Sequence, residues 1–396
     1  MRDRAADRLA LLAFFLSGIS LSFLGATLPA WRYHLEASFA EVGNYFLSLA
    51  VGFVLSNFAV HSRWGRRDSR FQLVLANTLA FAGFIILAAA SWLELPIARL
   101  PGLVLIGAGG GLSTTAIFQS IIPAYRRNAA IAANLAGVLF GSACLLTSLL
   151  MAGSYSVYPV AVMLIVLAVP PGFSAVWFAR SKRALTESNP PAGSSAIWRS
   201  LRNPGMVLFG LLVFFQFGNE WAIAGWLPLF LIRRLGMSPR TSLLMLAIFW
   251  TALLVGRLLS QWLIPRASRS VLMAGPILSA LLGTMVLAFT NNGFGAVMGV
   301  LFAGAGFAPV FPLAVSKIGR RFPEYQAGFF DGLFSFAILG GLLAPWTASF
   351  LASAWGIEAV MILPMVGACA AFVLTLLMLL EAKLSGSPAA ESTVRK

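Results

Sequence analysis

The chain has 396 residues, 59% of them hydrophobic and only 10% charged, with a formal net charge of +15. A soluble globular domain carries roughly 25% charged residues, so water is excluded as the main solvent. The two cysteines, Cys144 and Cys369, stand alone in separate apolar runs, which excludes a disulfide framework and a cysteine-based metal site.

A bilayer crossing takes about 20 mainly apolar residues. Runs of that kind tile the sequence at 9–30, 41–61, 71–92, 98–121, 130–151 and 158–179, and again at 205–231, 241–263, 271–290, 294–316, 326–350 and 358–380. The first run follows MRDRAADR and is too long for a secretion signal, so it is read as a span. The pattern predicts an all-α membrane protein with twelve transmembrane helices. Trp31, Tyr33, Trp92, Tyr155, Tyr158 and Trp355 lie near run ends, where aromatic rings anchor at the interface. His34 and His61 are isolated and form no ligand set.

The positive charge is a matter of orientation rather than of nucleic-acid binding. With the N-terminus inside, 22 of the 28 Lys and Arg fall on inner segments, five on outer ones (Arg32, Arg99, Arg233, Arg234, Arg240) and Arg257 within a span. The positive-inside rule then places both termini in the cytoplasm of a bacterium, with the chain in the inner membrane.

The longest polar stretch, centred on a Pro-Pro, Gly and Ser cluster, divides the chain into an N-terminal six-helix bundle (1–179), a cytoplasmic linker (180–204) and a C-terminal six-helix bundle with its tail (205–396). The halves echo each other in order: LPAW (28–31) with LPLF (227–230), GFVLSN (52–57) with GRLLSQ (256–261), and GGLSTTAIFQSIIPAYRR (110–127) with GAGFAPVFPLAVSKIGRR (304–321). A spacing of about 200 residues throughout is the mark of parallel transporter repeats.

RWGRR (63–67), between the second and third spans, resembles the closing half of the major facilitator loop signature, while Phe58 and Ser62 stand where that signature has Gly and Asp. FGNEWAIAGWLPLFLIRRLGMS (217–238), IFWTALLVGRLLS (248–260), GFAPVFP (306–312) and GLFSFAILGGLLAPW (332–346) resemble the sugar permeases related to the fucose permease. GAGGGLSTTAIFQSII (107–122) and NLAGVLFGSACLL (134–146) are similar to the same group. The resemblance implies the major facilitator fold, two pseudo-symmetric six-helix bundles. It also implies a solute site at mid-membrane, lined by spans 1, 4, 7 and 10 with spans 2, 5, 8 and 11 beside them.

Polar side chains at that depth are costly and are the first candidates for function. In the seventh span Gln216, Asn219 and Glu220 stand at i, i+3 and i+4, with Trp226 seven residues past Asn219. Amides and an acid suit sugar hydroxyls, and an indole suits the apolar face of a pyranose. Glu220 is the one carboxylate placed at mid-span and the expected proton carrier, since low-dielectric surroundings favour the neutral form of an acid. Its bland alternative is a glutamate locked by donors to fix packing. Thr114, Thr115, Gln119, Asn134 and Trp250 complete the expected solute site, although Thr in membrane helices commonly bonds back to its own backbone. GAGGG (107–111) lies inside a span, which suits close helix crossing rather than phosphate binding.

Arg257 and Asp331 sit nearer the inner end and need partners. By the resemblance, Asp331 is expected to pair with Arg63 and Arg257 to meet Asn134, gating the inner side; a static Asp331 to Arg257 bridge is the alternative. The expected function is proton-coupled uptake of a sugar or related small polar solute by alternating access, with no cofactor, no metal and a monomeric protein. Spans 1 and 4 offer no acid, which leaves a uniporter open. The rival is a proton-driven efflux antiporter for amphiphiles. Against it, GVLFGSA (137–143) lacks the Gly-Pro pair of the drug-antiporter motif. An enzyme is not expected: no nucleophile has a partnered base.

Overall fold

The computed structural model describes residues 2–35, 38–61, 69–180, 204–263, 269–321 and 327–384. Within a bilayer every backbone group must be satisfied inside the chain, and the apolar runs accordingly fold as helices, with no strand among the described residues. The helices are α1 (Arg2–Thr27), α2 (Phe39–His61), α3 (Ser69–Trp92), α4 (Arg99–Ser154), α5 (Val160–Arg180), α6 (Pro204–Leu235), α7 (Pro239–Leu263), α8 (Arg269–Phe289), α9 (Gly293–Phe307), α10 (Val310–Arg321), α11 (Ala327–Trp355) and α12 (Ile362–Leu384), the last preceded by a short 3-10 turn, Ile357–Met361. Nine spans among the described residues are long and apolar enough to cross a membrane.

Two boundaries differ from the sequence reading. The fourth and fifth spans join in one helical run of 56 residues. The connection drawn at 122–129 leads into Ala129, Ala130, Ala132 and Ala133, the best helix formers, so the backbone stays helical past the arginines. The tenth span, drawn as one piece over 294–316, is instead broken between α9 and α10 at Ala308 and Pro309. Pro309 and Pro312 each remove a backbone donor, so the carbonyls four residues earlier lose their helical partners.

α1, α2 and α3 pack on α4, and α5 packs on α3; in the second half α11 and α12 pack on α6, and α9 packs on both α7 and α8. The repeats seen in sequence are repeats in space. Ser56 Oγ donates to the Phe53 carbonyl at 2.9 Å, and its counterpart Ser260 to the Arg257 carbonyl at 2.8 Å. Gly52 lies against Val104 and Ala108 of α4, as Gly256 lies against Ala305 and Ala308 in and just beyond α9. The GAGGG run does mediate close crossing: a Cβ on Gly107 would overlap the Leu49 carbonyl, and one on Gly109 the Ala76 carbonyl.

The halves meet along α4 with α7, α2 with α11, and α1 with α6. Toward the end that carries the 28–35 turn the α1 and α6 backbones touch, since a Cβ on Gly25 would overlap the Ala224 carbonyl. Gly43 of α2 presses likewise on the Ser349 side chain of α11. Beside that seal, Trp31 and Tyr33 are buried in a polar network and are not interfacial anchors as expected. Trp31 Nε1 donates to Ser91 Oγ at 2.8 Å, and the Arg99 guanidinium stacks 4.6 Å from the Trp31 ring centre. Arg99 Nη1 also donates to the Tyr33 and Tyr45 hydroxyls, both of which reach the Glu41 carboxylate. Burial first, and then the bond to Glu41, push the Tyr33 phenol well above its ordinary range. Trp92, Tyr158 and Trp355 are exposed, as anchors require.

Candidate functional site

α6 is the axis of the site, and nearly all of it from Gln216 to Leu231 is buried. Glu220 lies midway along it. Gln216, one turn earlier, donates Nε2 to Glu220 Oε1 at 2.5 Å and to the Phe307 carbonyl at 2.8 Å. Phe307 ends α9, where carbonyls run out of in-helix donors, so the break in the tenth span supplies an acceptor for the Gln216 amide.

The second Glu220 oxygen, Oε2, faces Arg257 Nη2 of α7 at 3.9 Å. Arg257 therefore has Glu220 as its acidic partner among the described residues. It crosses to the other half as well: Nη1 donates to the Gly137 carbonyl of α4, while Asn134 Nδ2 donates to the Arg257 carbonyl at 3.3 Å. Gly137 leaves room for this arrangement, because a Cβ there would stand 2.6 Å from Arg257 Nη1 and the guanidinium would have to shift. Arg257 is 5% exposed, and its Nε has no hydrogen-bond partner among the described residues.

Other expected residues lie elsewhere. Asn219 points away from Glu220 onto α12, where its Oδ1 fills the space a Gly367 Cβ would occupy. Trp226 is fully buried, donates Nε1 to the Pro345 carbonyl at 2.8 Å and packs with Phe39 and Phe46 of α2, as part of the seal between the halves. Thr114 bonds back to the Gly110 carbonyl at 2.8 Å. Trp250 is buried beside Phe249, its indole N–H without a partner among the described residues. Arg63 and the side chains of Thr115, Gln119 and Asp331 lie outside the described residues, and with them the Asp331 pairings.

One residue missed in the sequence belongs at the centre. Trp221 packs on Gly341 of α11 and faces Phe140 of α4 with ring centres 5.9 Å apart, an aromatic pair spanning the two halves. The signal was the stripe Phe217, Trp221, Gly225 at i, i+4 and i+8, one position on from the polar stripe.

The profile of the Major Facilitator Superfamily matches residues 10–338. The chain belongs to this superfamily of transporters. An uncharacterized MFS-type transporter of Yersinia pestis is 21% identical over 319 residues, 78% of this chain and 79% of the relative. A variant of the E. coli fucose:proton symporter superposes with TM-score 0.68 at 16% identity, covering 96% of this chain and 99% of that one. The D-xylose-proton symporter gives 0.69 at 15%, covering 94% and 96%. At these identities the likeness is one of fold: two six-helix bundles of the major facilitator type, in a membrane transporter rather than an enzyme.

Proposed function

We propose that this transporter couples the inward movement of a sugar or related small polar solute to protons, with Glu220 as the proton carrier. The observation that carries the reading is the position of this buried carboxylate. It is held by Gln216 within α6 and by Arg257, a residue that also bonds α4 of the opposite half. A change of charge on Glu220 therefore acts on a contact between the halves, which is what alternating access requires of a coupling ion. Solved relatives in fold are named as proton symporters of fucose and of D-xylose, which supports the direction and the class of solute. The solute site comprises Gln216, Glu220, Arg257, Asn134 and Trp250, with Trp221 and Phe140 as the aromatic surface; Asn219 and Trp226 serve packing and the seal. The charge distribution further supports cytoplasmic termini in a bacterial inner membrane.

The test is Glu220→Gln. Accumulation driven by an imposed pH gradient should vanish while the protein remains folded and monodisperse. Undiminished gradient-driven uptake in that variant would exclude Glu220 as the carrier.

A further inference from the structure

Charge at the centre of this protein is balanced one against one among the described residues. Among the described residues, the groups that bear on the Glu220 carboxylate are Arg257 and Gln216, and those that bear on Arg257 are Glu220 and the Cys144 thiol. Other contacts of α6 near this level among the described residues are with uncharged groups, such as Phe140 of α4, the Phe307 carbonyl of α9, Phe311 of α10, Gly341 of α11 and Gly367 of α12. The Asp331 side chain of α11 is not among the described groups.

The guanidinium is only partly satisfied. Among the described residues, Nη1 has the Gly137 carbonyl, Nη2 has a carboxylate oxygen at 3.9 Å, and Nε has no partner. Seven residues earlier on α7, and so on the same helical stripe, the Trp250 indole N–H is also buried without a partner among the described residues. A proton arriving on Glu220 would cancel its charge and leave Arg257 without an anionic partner among the described residues, a costly state for a cation in low dielectric. Protonation is then disfavoured unless another anion takes the place of Glu220. The open edge of a planar guanidinium is the group best matched to a carboxylate.

We propose that the solute is a small monoanion bearing a carboxylate, a sugar acid in chemical class, which Arg257 binds as Glu220 takes up its proton. This rests on the reading of Glu220 as proton carrier and deepens it. The charges close. The empty site holds one carboxylate and one guanidinium; the loaded site holds a neutral acid, the same guanidinium and the solute carboxylate. One proton and one anion move together with no net charge. A neutral sugar would instead leave the loaded site with an uncompensated positive charge.

The experiment uses the purified full-length protein with D-gluconate, D-glucuronate and D-galacturonate, and with D-glucose and D-galactose as neutral parents, in thermal-shift and equilibrium binding measurements at pH 5.5 and 7.5. The acids should raise the melting temperature and the neutral parents should not. Affinity for the acid should weaken with rising pH, approaching tenfold per pH unit where one proton is taken up per anion, about the limit for a single linked proton. Glu220→Gln mimics the protonated acid and should bind the sugar acid with the same affinity at both pH values, although its gradient-driven uptake is lost. A residue that served packing alone would not produce that combination. Arg257→Gln should lose the binding. The proposal is overturned if the neutral sugars stabilise as well as the acids, if the affinity for the acid ignores pH in the parent protein, or if no acid binds. Gradient-driven accumulation of a neutral sugar that Glu220→Gln abolishes would end this inference and leave the proton-carrier reading intact. Unchanged uptake in Glu220→Gln would end that reading itself.

Discussion

Gly137 shows how narrowly the contact between the halves is drawn. Replacing glycine by alanine inside a helix ordinarily stabilises it by roughly 0.5–1 kcal/mol, because glycine loses more backbone freedom on folding. At position 137 the added methyl would stand 2.6 Å from Arg257 Nη1 and 2.8 Å from its Cζ. The guanidinium must shift, and the bond to the Gly137 carbonyl goes with it. Gly137→Ala is therefore expected to lower the melting temperature, against the helix-propensity trend, and to slow uptake several-fold. Gly153→Ala is the control: it lies near the far end of the same helix with nothing within 4 Å of its Cβ position, and it should be neutral or stabilising. Equal melting temperatures for the two variants would remove Gly137 from the contact. Residues of this kind are half legible in sequence. Gln216 and Glu220 were visible as an i, i+4 pair, and they do bond. Asn219 looked like their companion but stands about 100° around the helix from Glu220, which is enough to face Gly367 rather than Arg257. Spacing gives the angle between side chains; only tertiary packing tells which neighbour waits at each angle.

At the scale of elements, the crossing of α1 and α6 closes the end that carries the 28–35 turn. A Cβ on Gly25 would overlap the Ala224 carbonyl and come 2.7 Å from the Gly225 Cα, so any larger residue forces the two helices apart. Gly25→Val is expected to hold that end open. Ser349 is a suitable reporter, since it is buried against Gly43 in the same seal. With both native cysteines replaced, a cysteine at 349 should react slowly with a membrane-impermeant maleimide in the parent and at least tenfold faster in Gly25→Val. Equal rates would show that this crossing does not control access. Helix identities were readable from the apolar runs, and the break in the tenth span had its signal in Pro309 and Pro312 of GFAPVFP. The two prolines were read only as part of a family motif. What the helix end there supplies, a Phe307 carbonyl that accepts from Gln216, depends on α6 lying beside α9 and could not be seen from either segment alone.

The molecule as a whole repeats itself, and the repetition carries a prediction about how it is assembled. Within the first half α4 is the hub on which α1, α2 and α3 pack; within the second, α6 collects α11 and α12 while α9 binds α7 and α8. Each half therefore buries much of its own polar and small-residue surface without the other, and the equivalent Ser56 and Ser260 bonds lie inside their own halves. What joins the halves includes the Arg257 contacts with Gly137 and Asn134, the Trp221 and Phe140 rings, Trp226 with Phe39 and Phe46, and the Gly25 and Gly43 seal. These contacts need the halves side by side in one bilayer but do not need the covalent link through 181–203. Genes for residues 1–190 and 191–396, expressed together, are accordingly expected to yield two fragments that co-purify and restore solute uptake, whereas either alone restores none. The Arg257→Gln change in the second fragment should weaken co-purification, because it removes a side chain that bridges both fragments. If the fragments are each inserted and stable yet never associate, the halves are held by the linker and not by the interface described, and the proposed coupling through Arg257 loses its structural basis.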